Sequence, residues 1–368
     1  LFVISRFHPY LGGGEVQALR LATGLVSRGH RVTVLTGRPD QALPSESMVE
    51  GVRVLRFGRG TFSFLFKAIG FGLLQRRSFE LVHAFQALSP SLVAASLSAV
   101  LRIPAVVTLL AGGFEAANGD LYLALSRSPL RFLYPRAFAK IRQFVVKSAE
   151  SAREVRTMLG AESVLIPNGV NTVHFQPAGA VDDRPVACFV GRLEAIKAPE
   201  VLFAAWSRVL ESLPEARLVV VGGGSDAPRF HELARAAGVL GTLSFMGAQE
   251  DVRPFLHEAR LLVLSSHSEG MPGVILEAMA CGLPAVATDV GHVSQIVLSG
   301  DTGLIVPPGD ADALGDALLA LLTDPQRARA MGRAARVRAE QAFSLDRMVE
   351  RYETLYRSLL TEGRDGNP

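Results

Sequence analysis

The sequence predicts an α/β chain built as two Rossmann-like domains, on three observations. Its 368 residues exceed what one hydrophobic core usually holds, so two domains are the default expectation. Short segments rich in apolar residues at 1–5, 31–36, 52–57, 80–83, 105–110 and 143–147, then at 186–190, 216–221, 259–264 and 284–288, read as strands. Between them lie Gly/Pro-rich turns and amphipathic stretches. That β-loop-α-β order implies parallel sheets with right-handed crossovers.

Composition bounds the function. Apolar residues make up 49% of the chain, enough for large cores, yet no run of eighteen apolar residues suggests a membrane span. The sequence opens at Leu1 without a methionine and already inside a strand pattern. Residues before it are therefore expected, which leaves a removed targeting segment open. Cys188 and Cys281 both lie in apolar surroundings and read as free buried thiols of a cytoplasmic protein. No Cys/His spacing fits zinc. The net charge is only +3, which permits an anionic surface partner without requiring one. No nucleic-acid partner is expected.

In the first domain, the strand at 1–5 leads into Pro9-Tyr10-Leu11-Gly12-Gly13-Gly14-Glu15 and a helix over 16–28. Glycines at a helix start let a substrate approach the backbone. The spacing is not Gly-x-Gly-x-x-Gly, and no acidic residue closes the next strand, so a dinucleotide dehydrogenase is a weak reading. Residues 59–77 carry four phenylalanines, Phe62, Phe64, Phe66 and Phe71, between basic ends. A second basic-aromatic stretch spans 127–144. Both suit a peripheral membrane contact; core-facing helices with basic caps are the competing reading. His83 closes the strand Glu80-Leu81-Val82-His83 and reads as a cleft residue at a strand end or as an ordinary strand-end histidine. After strands at 143–147 and 164–166 comes Pro167-Asn168-Gly169-Val170-Asn171. Residues 179–185 have linker composition. The expected domains are 1–178, joined by a terminal helix at about 345–362, and 184–344.

The second domain opens with a strand at 186–190 and the loop Gly191-Arg192-Leu193-Glu194-Ala195-Ile196-Lys197. Two cations on a strand-end loop suit a diphosphate, which arginine can grip through two N–H groups; two solvated charges are the plainer alternative. Gly222-Gly223-Gly224 forms a second Rossmann-like turn. The densest stretch is Ser265-Ser266-His267-Ser268-Glu269-Gly270-Met271-Pro272-Gly273-Val274-Ile275-Leu276-Glu277. A buried strand precedes it, Pro272 suits a first helical turn and Gly282 a helix stop. Backbone N–H groups and the positive end of a helix dipole meet there, a ready anion site. Glu269 and Glu277 flank it. Carboxylates do not bind an anion but suit hydroxyls, and a nucleotide sugar offers both. Taken singly, Glu269 reads as a solvated turn residue and Glu277 as a helix-start carboxylate. Asp310-Ala311-Asp312 contains Asp-x-Asp, but it follows Pro-Pro-Gly and opens a helix, so N-terminal capping accounts for it.

Together, Glu269 and Glu277 with seven residues between them, Gly/Pro inside and Leu-Glu-Ala-Met-Ala after, resemble the signature of retaining glycosyltransferases of the family-4 type, group 1. Gly-Arg-Leu-x-x-x-Lys at 191–197, Pro-x-x-Gly-Gly-x-Glu at 9–15 and the Pro-Asn-Gly-Val segment at 167–170 resemble motifs of the same family. The resemblance covers nearly the whole chain. It implies the GT-B fold: two Rossmann-like domains facing a cleft, with the C-terminal helix crossing back to the first.

The implied reaction is transfer of a sugar from a nucleoside diphosphate to an acceptor hydroxyl, with retention and without a metal or other cofactor. Bacterial polysaccharide or glycolipid synthesis would use such a reaction. In the family, Arg192 and Lys197 would hold the pyrophosphate, Glu269 the sugar hydroxyls and Glu277 the ribose. Arg192, Lys197 and Glu269 are the implied catalytic residues. Gly12, Gly13, Gly222, Met271, Gly273 and Val274 would complete the donor site; Glu15, and His83 from its strand-end position, are the candidate acceptor or cleft residues. The acceptor is expected to be a sugar, a lipid-linked group or another hydroxyl compound, reached in the cytoplasm or at the inner membrane face. Leu110 stands where many relatives have a donor-contacting histidine, Ala198 where they often have glycine, and His292 and Gln295 are milder departures. Rivals sharing the fold are a sugar-nucleotide epimerase, a phosphorylase, or a catalytically silent nucleotide-sugar-binding protein.

Overall fold

The computed structural model describes all residues except 10–11, 59, 76, 111–120, 122, 180–183 and 366–368. The chain forms two compact units, Leu1–Gly169 with Leu345–Pro368, and Val170–Ser344.

In the first unit, β1 (Phe2–Ile4), α1 (Gly13–Ser27), β2 (Thr33–Gly37), β3 (Glu46–Val49), β4 (Val52–Phe57), α2 (Thr61–Leu74), β5 (Val82–Phe85), α3 (Ser89–Leu101), β6 (Ala105–Thr108), α4 (Tyr134–Phe138), β7 (Gln143–Val146), α5 (Ala149–Leu159) and β8 (Ser163–Leu165) follow in order. They build an eight-stranded sheet, β3-β4-β2-β1-β5-β6-β7-β8. Every pairing is parallel except β3 with β4. That antiparallel edge strand alternates exposed and half-buried residues and has no counterpart among the sequence expectations. Strands β5 and β6 are buried along their whole length, which is why they read as continuous apolar runs.

The second unit comprises β9 (Val186–Val190), α6 (Pro199–Ser212), β10 (Arg217–Val221), α7 (Ala227–Ala236), β11 (Leu243–Gly247), α8 (Arg253–Glu258), β12 (Leu261–Leu264), α9 (Gly273–Ala280), β13 (Ala285–Thr288), α10 (Val293–Ile296), β14 (Gly303–Val306), α11 (Ala311–Leu322) and α12 (Pro325–Phe343). Its six parallel strands run β11-β10-β9-β12-β13-β14. One core, around Phe189, Trp206, Phe230 and Leu318, fills one face of the sheet. The other, around Leu262, Ile275, Met279 and Phe343, fills the opposite face. The buried Trp206 keeps its indole N–H satisfied at 3.0 Å from Thr242 Oγ1.

The division falls earlier than the expected 178/184 boundary. Residues 170–178 are expected within the first domain, yet the Val170 N–H donates to Phe343 O at 2.8 Å and Phe175 is buried in the second core. Arg336 donates to Phe175 O at 2.7 Å. The last helix, α13 (Leu345–Asp365), belongs to the first unit and runs past the expected end at 362.

Candidate functional site

In the second sheet the chain starts at β9, grows outward through β10 and β11, then returns to the other side of β9 as β12. Loops leaving the carboxyl ends of β9 and β12 therefore diverge and leave a crevice, the usual ligand position in an open α/β sheet. The loop after β9 carries Arg192 and Lys197; the loop after β12 carries Glu269.

These two loops are tied together. Lys197 Nζ lies 2.5 Å from Glu269 Oε1, and Ser266 Oγ donates to the same oxygen at 2.6 Å. Ser265 Oγ donates to Lys197 O at 2.7 Å, and the His267 N–H to Ile196 O at 2.9 Å. Arg192 reaches outward and pairs with Glu194 at 2.6 Å, its side chain 68% exposed. Ala198 holds φ +50 and is fully buried. This is the left-handed conformation that favours glycine, so the chain keeps the backbone geometry without the residue that adopts it most readily.

Helix α9 begins at Gly273, with Pro272 as its N-terminal cap rather than in its first turn. No acidic residue occupies that first turn, so its positive end is not neutralised from within. Met271 is buried before it, Val274 and Glu277 are half-buried on it, and Glu277 lies one turn in. Gly222 has φ +145, and a Cβ there would overlap the Gly191 carbonyl oxygen. Only glycine lets the loops after β9 and β10 approach this closely.

Two contributors escaped the sequence reading. Ser266 buttresses Glu269, as described. His292, after β13, is 2% exposed and its Nδ1 lies 2.8 Å from Gly270 O. Its own N–H donates to that carbonyl at 3.2 Å, so His292 fixes the turn between Glu269 and α9. Ser266 lies inside the densest stretch and His292 at a departure from the family pattern, but their pairings appear only in the fold.

In the first unit, Gly12 caps α1 and Gly13 opens it. A Cβ at Gly12 would run into the Glu15 carboxylate, and one at Gly14 into the Leu110 side chain. Glu15 therefore folds back over the first turn of its own helix. Leu110 packs against the glycine turn.

His83 departs from its expected place as an acceptor-side residue. It sits in mid-strand, level with Phe2 of β1 and Val106 of β6, and is fully buried. Its ring nitrogens contact Tyr356 Oη at 2.6 Å and Thr108 Oγ1 at 2.7 Å. Thr108 also meets Tyr352 Oη at 3.0 Å, and Lys147 Nζ donates to Tyr352 Oη at 3.1 Å. Burial pushes the His83 pKa well below its ordinary value and lowers that of Lys147 to about 7. This buried polar cluster fastens α13 to the first sheet.

The basic-aromatic stretches divide between the two readings. On α2, Phe64 is buried and Phe71 packs on the core. Phe62 and Phe66 are 60% and 75% exposed, and Leu73 continues their stripe. In the second stretch Phe132 and Leu133 are exposed, while Tyr134 and Phe138 are buried. No helix among the described residues is long and apolar enough to cross a membrane. Both cysteines are free and buried, and burial raises each thiol to about 12. Among the described residues no three His, Cys, Asp or Glu side chains cluster as metal ligands would. Asp310 caps α11, accepting from the Ala313 N–H at 2.8 Å.

Comparison with known proteins places this geometry. Residues 170–338 match the family "Glycosyl transferases group 1", and residues 11–174 match "Glycosyltransferase Family 4". D-inositol 3-phosphate glycosyltransferase of Kribbella flavida is 30% identical over 94% of this chain and 91% of its own. Sucrose-phosphate synthase from Thermosynechococcus elongatus superposes with a TM-score of 0.84 at 24% identity, covering 98% of this chain and 99% of that one. Anabaena HepE, solved in complex with UDP, gives 0.76 at 19% identity over 97% and 99%. The two doubly wound units are thus the GT-B architecture, and the chain belongs to the group 1, family-4 glycosyltransferases, enzymes of the hexosyltransferase type.

Proposed function

We propose that this enzyme moves a glycosyl group from a nucleoside diphosphate sugar to an acceptor hydroxyl, with retention at the anomeric carbon and without a metal ion. The observation that carries the reading is the joining of the β9 and β12 loops through Lys197 and Glu269, with Arg192 on the same loop and the start of α9 on the same turn. As the sugar–phosphate bond breaks, negative charge grows on the departing diphosphate. Arg192, Lys197 and the α9 N-terminus supply fixed positive potential there. Glu269 is held through Oε1 by Lys197 and Ser266, which leaves Oε2 to accept from sugar hydroxyls. Glu277 suits the ribose. The acceptor oxygen bonds to the anomeric carbon on the face the phosphate leaves, and its proton passes to a phosphate oxygen.

UDP bound by the structurally similar Anabaena HepE supports a nucleoside diphosphate donor. The capping role of Asp310 supports a reaction without metal. The exposed Phe62, Phe66 and Phe132 support a lipid-linked acceptor met at a membrane surface.

Incubation with UDP-, GDP- and ADP-sugars plus simple alkyl glycoside acceptors tests the assignment, with the product anomer read by NMR. An α-linked product from an α-linked donor, with nucleoside diphosphate released, is expected. Inverted product, or turnover of sugar 1-phosphates alone, overturns it.

A further inference from the structure

Within the second unit, at the amino ends of β12 and β13 and so at the opposite end of the strands from Glu269, lies a cavity of about 400 Å³. Its size suits a small molecule. Pro177, Ala259, Leu283, Pro284, Ala328 and Val337 give it a largely apolar lining. Set into that lining are four arginines, Arg260, Arg329, Arg333 and Arg336, and among the described residues no carboxylate lines it.

The arginines differ in their commitments. Arg260 is 8% exposed and donates to Leu322 O. Arg336 donates to Ala280 O at 2.6 Å and pairs with Glu340 at 2.6 Å. Arg333, one turn before Arg336 on α12, has no hydrogen-bond or ion-pair partner among the described residues. A concave apolar surface carrying the Arg333 guanidinium, unpaired among the described residues, is complementary to an anion borne on an apolar body.

We infer that this cavity is a second ligand site, distinct from the sugar-transfer site, that takes a small organic oxyanion, its charged head on Arg333 beside Arg336 and its apolar body against Leu283, Pro284 and Val337.

The site has a direct mechanical link to the donor loop. Cys281 and Gly282, which line the cavity, close the C-terminal end of α9, and Arg336 donates to the last carbonyl of that helix. The other end of the same eight-residue helix is the anion-facing turn at Gly273. An oxyanion competing for Arg336 loosens its hold on Ala280 O, so occupancy of one end of α9 is coupled to donor affinity at the other. Such coupling is reciprocal.

Thermal unfolding of the whole enzyme with phenyl phosphate, phenol or inorganic phosphate separates head, body and their combination. Phenyl phosphate at about ten times its Kd should raise Tm by about 3–6 °C, and the two fragments at equal concentration much less. The rise should persist in Arg192→Ala, which keeps the cavity intact. It should vanish in Arg333→Glu, an exposed position, and in Val337→Trp, which fills the cavity from its rim. With phenyl phosphate present, the Kd for UDP should change at least twofold in wild type and not in Arg333→Glu. A Tm rise that survives both Arg333→Glu and Val337→Trp overturns the site. So does the absence of any rise, or a rise lost in Arg192→Ala alone, which would place the probe in the donor site. An unchanged Kd for UDP despite binding overturns the coupling.

Discussion

Lys197 and Glu269, 72 residues apart in sequence, meet at 2.5 Å and close the crevice between the β9 and β12 loops. Their side chains are only 15% and 12% exposed, so removing one charge strands the other where water screens it poorly. Lys197→Met should destabilise the second unit by about 1–3 kcal/mol, and Glu269→Gln in the same chain should restore at least half of that. Denaturant unfolding of the two single variants and the double variant measures the coupling. Strictly additive effects would show that the pair contributes nothing to holding the loops.

Arg192 tests the chemistry with little disturbance to the fold. Its exposed side chain predicts a stability change within about 0.5 kcal/mol on Arg192→Ala. The same change should lower kcat/KM roughly 30- to 1000-fold, the loss of about 2–4 kcal/mol of charge stabilisation. Near-wild-type transfer would remove the diphosphate assignment.

Chelation addresses the metal. Transfer in excess EDTA should match transfer in Mg²⁺, since Asp310 is engaged as a helix cap. A strict Mn²⁺ or Mg²⁺ requirement that disappears in Asp310→Ala would sink the metal-independent reading.

His83 predicts acid sensitivity of the first unit. Burial depresses its pKa, so below about pH 6.5 the unfolded chain binds a proton that the folded chain refuses. Stability from this group is complete above that pH and falls as pH drops, by up to about 1.4 kcal/mol per pH unit. Lys147, lowered to about 7, gives a slope of the same sign between about pH 7 and 10. His83→Gln should flatten the dependence between pH 6.5 and 5, measured by urea titration. An unchanged slope would show that His83 ionises freely in the fold.

The exposed stripe on α2 predicts membrane binding. Phe62, Phe66 and Leu73 fall on one side of that helix, with the exposed Lys67 and Arg77 nearby. Anionic vesicles should sediment with the protein at low salt, and less so at high salt, because each cation contributes roughly 1 kcal/mol near such a surface. Phe62→Ser with Phe66→Ser should weaken binding without unfolding. No vesicle binding at low salt would remove the membrane contact and leave the transferase reading intact.

The sheets and the loops after β9 and β12 are legible in the sequence because both leave local signatures. Strands buried on two faces read as apolar runs, and cations or glycines at strand ends read as phosphate-binding turns. The boundary expected at 178/184 follows the Gly/Pro/Asp composition of 179–185, whereas Val170 and Phe175 are fixed in the second unit by Phe343 and Arg336, partners far along the chain. His83 misled because a histidine after an apolar run has the same local pattern whether it ends a strand or lies within it. Its partners Tyr352 and Tyr356 come from the other end of the chain. Phe62 and Phe66 differ from Phe64 and Phe71 only in helical phase, about half a turn apart. That phase was present in the spacing, but composition alone averaged over it.

The chain leaves the first unit at Gly169 and re-enters it at Leu345, and the second unit's own ends meet where Val170 bonds to Phe343. This sets an order of assembly on the ribosome. The intervening unit has all of its strands once Ser344 has emerged. The unit begun first must wait, since the hydroxyls that meet Thr108, Lys147 and His83 arrive with Tyr352 and Tyr356, which follow the second unit in the chain. A nascent chain stalled at Ser344 would therefore hold a finished second unit beside a first whose sheet still has three polar groups facing an empty groove.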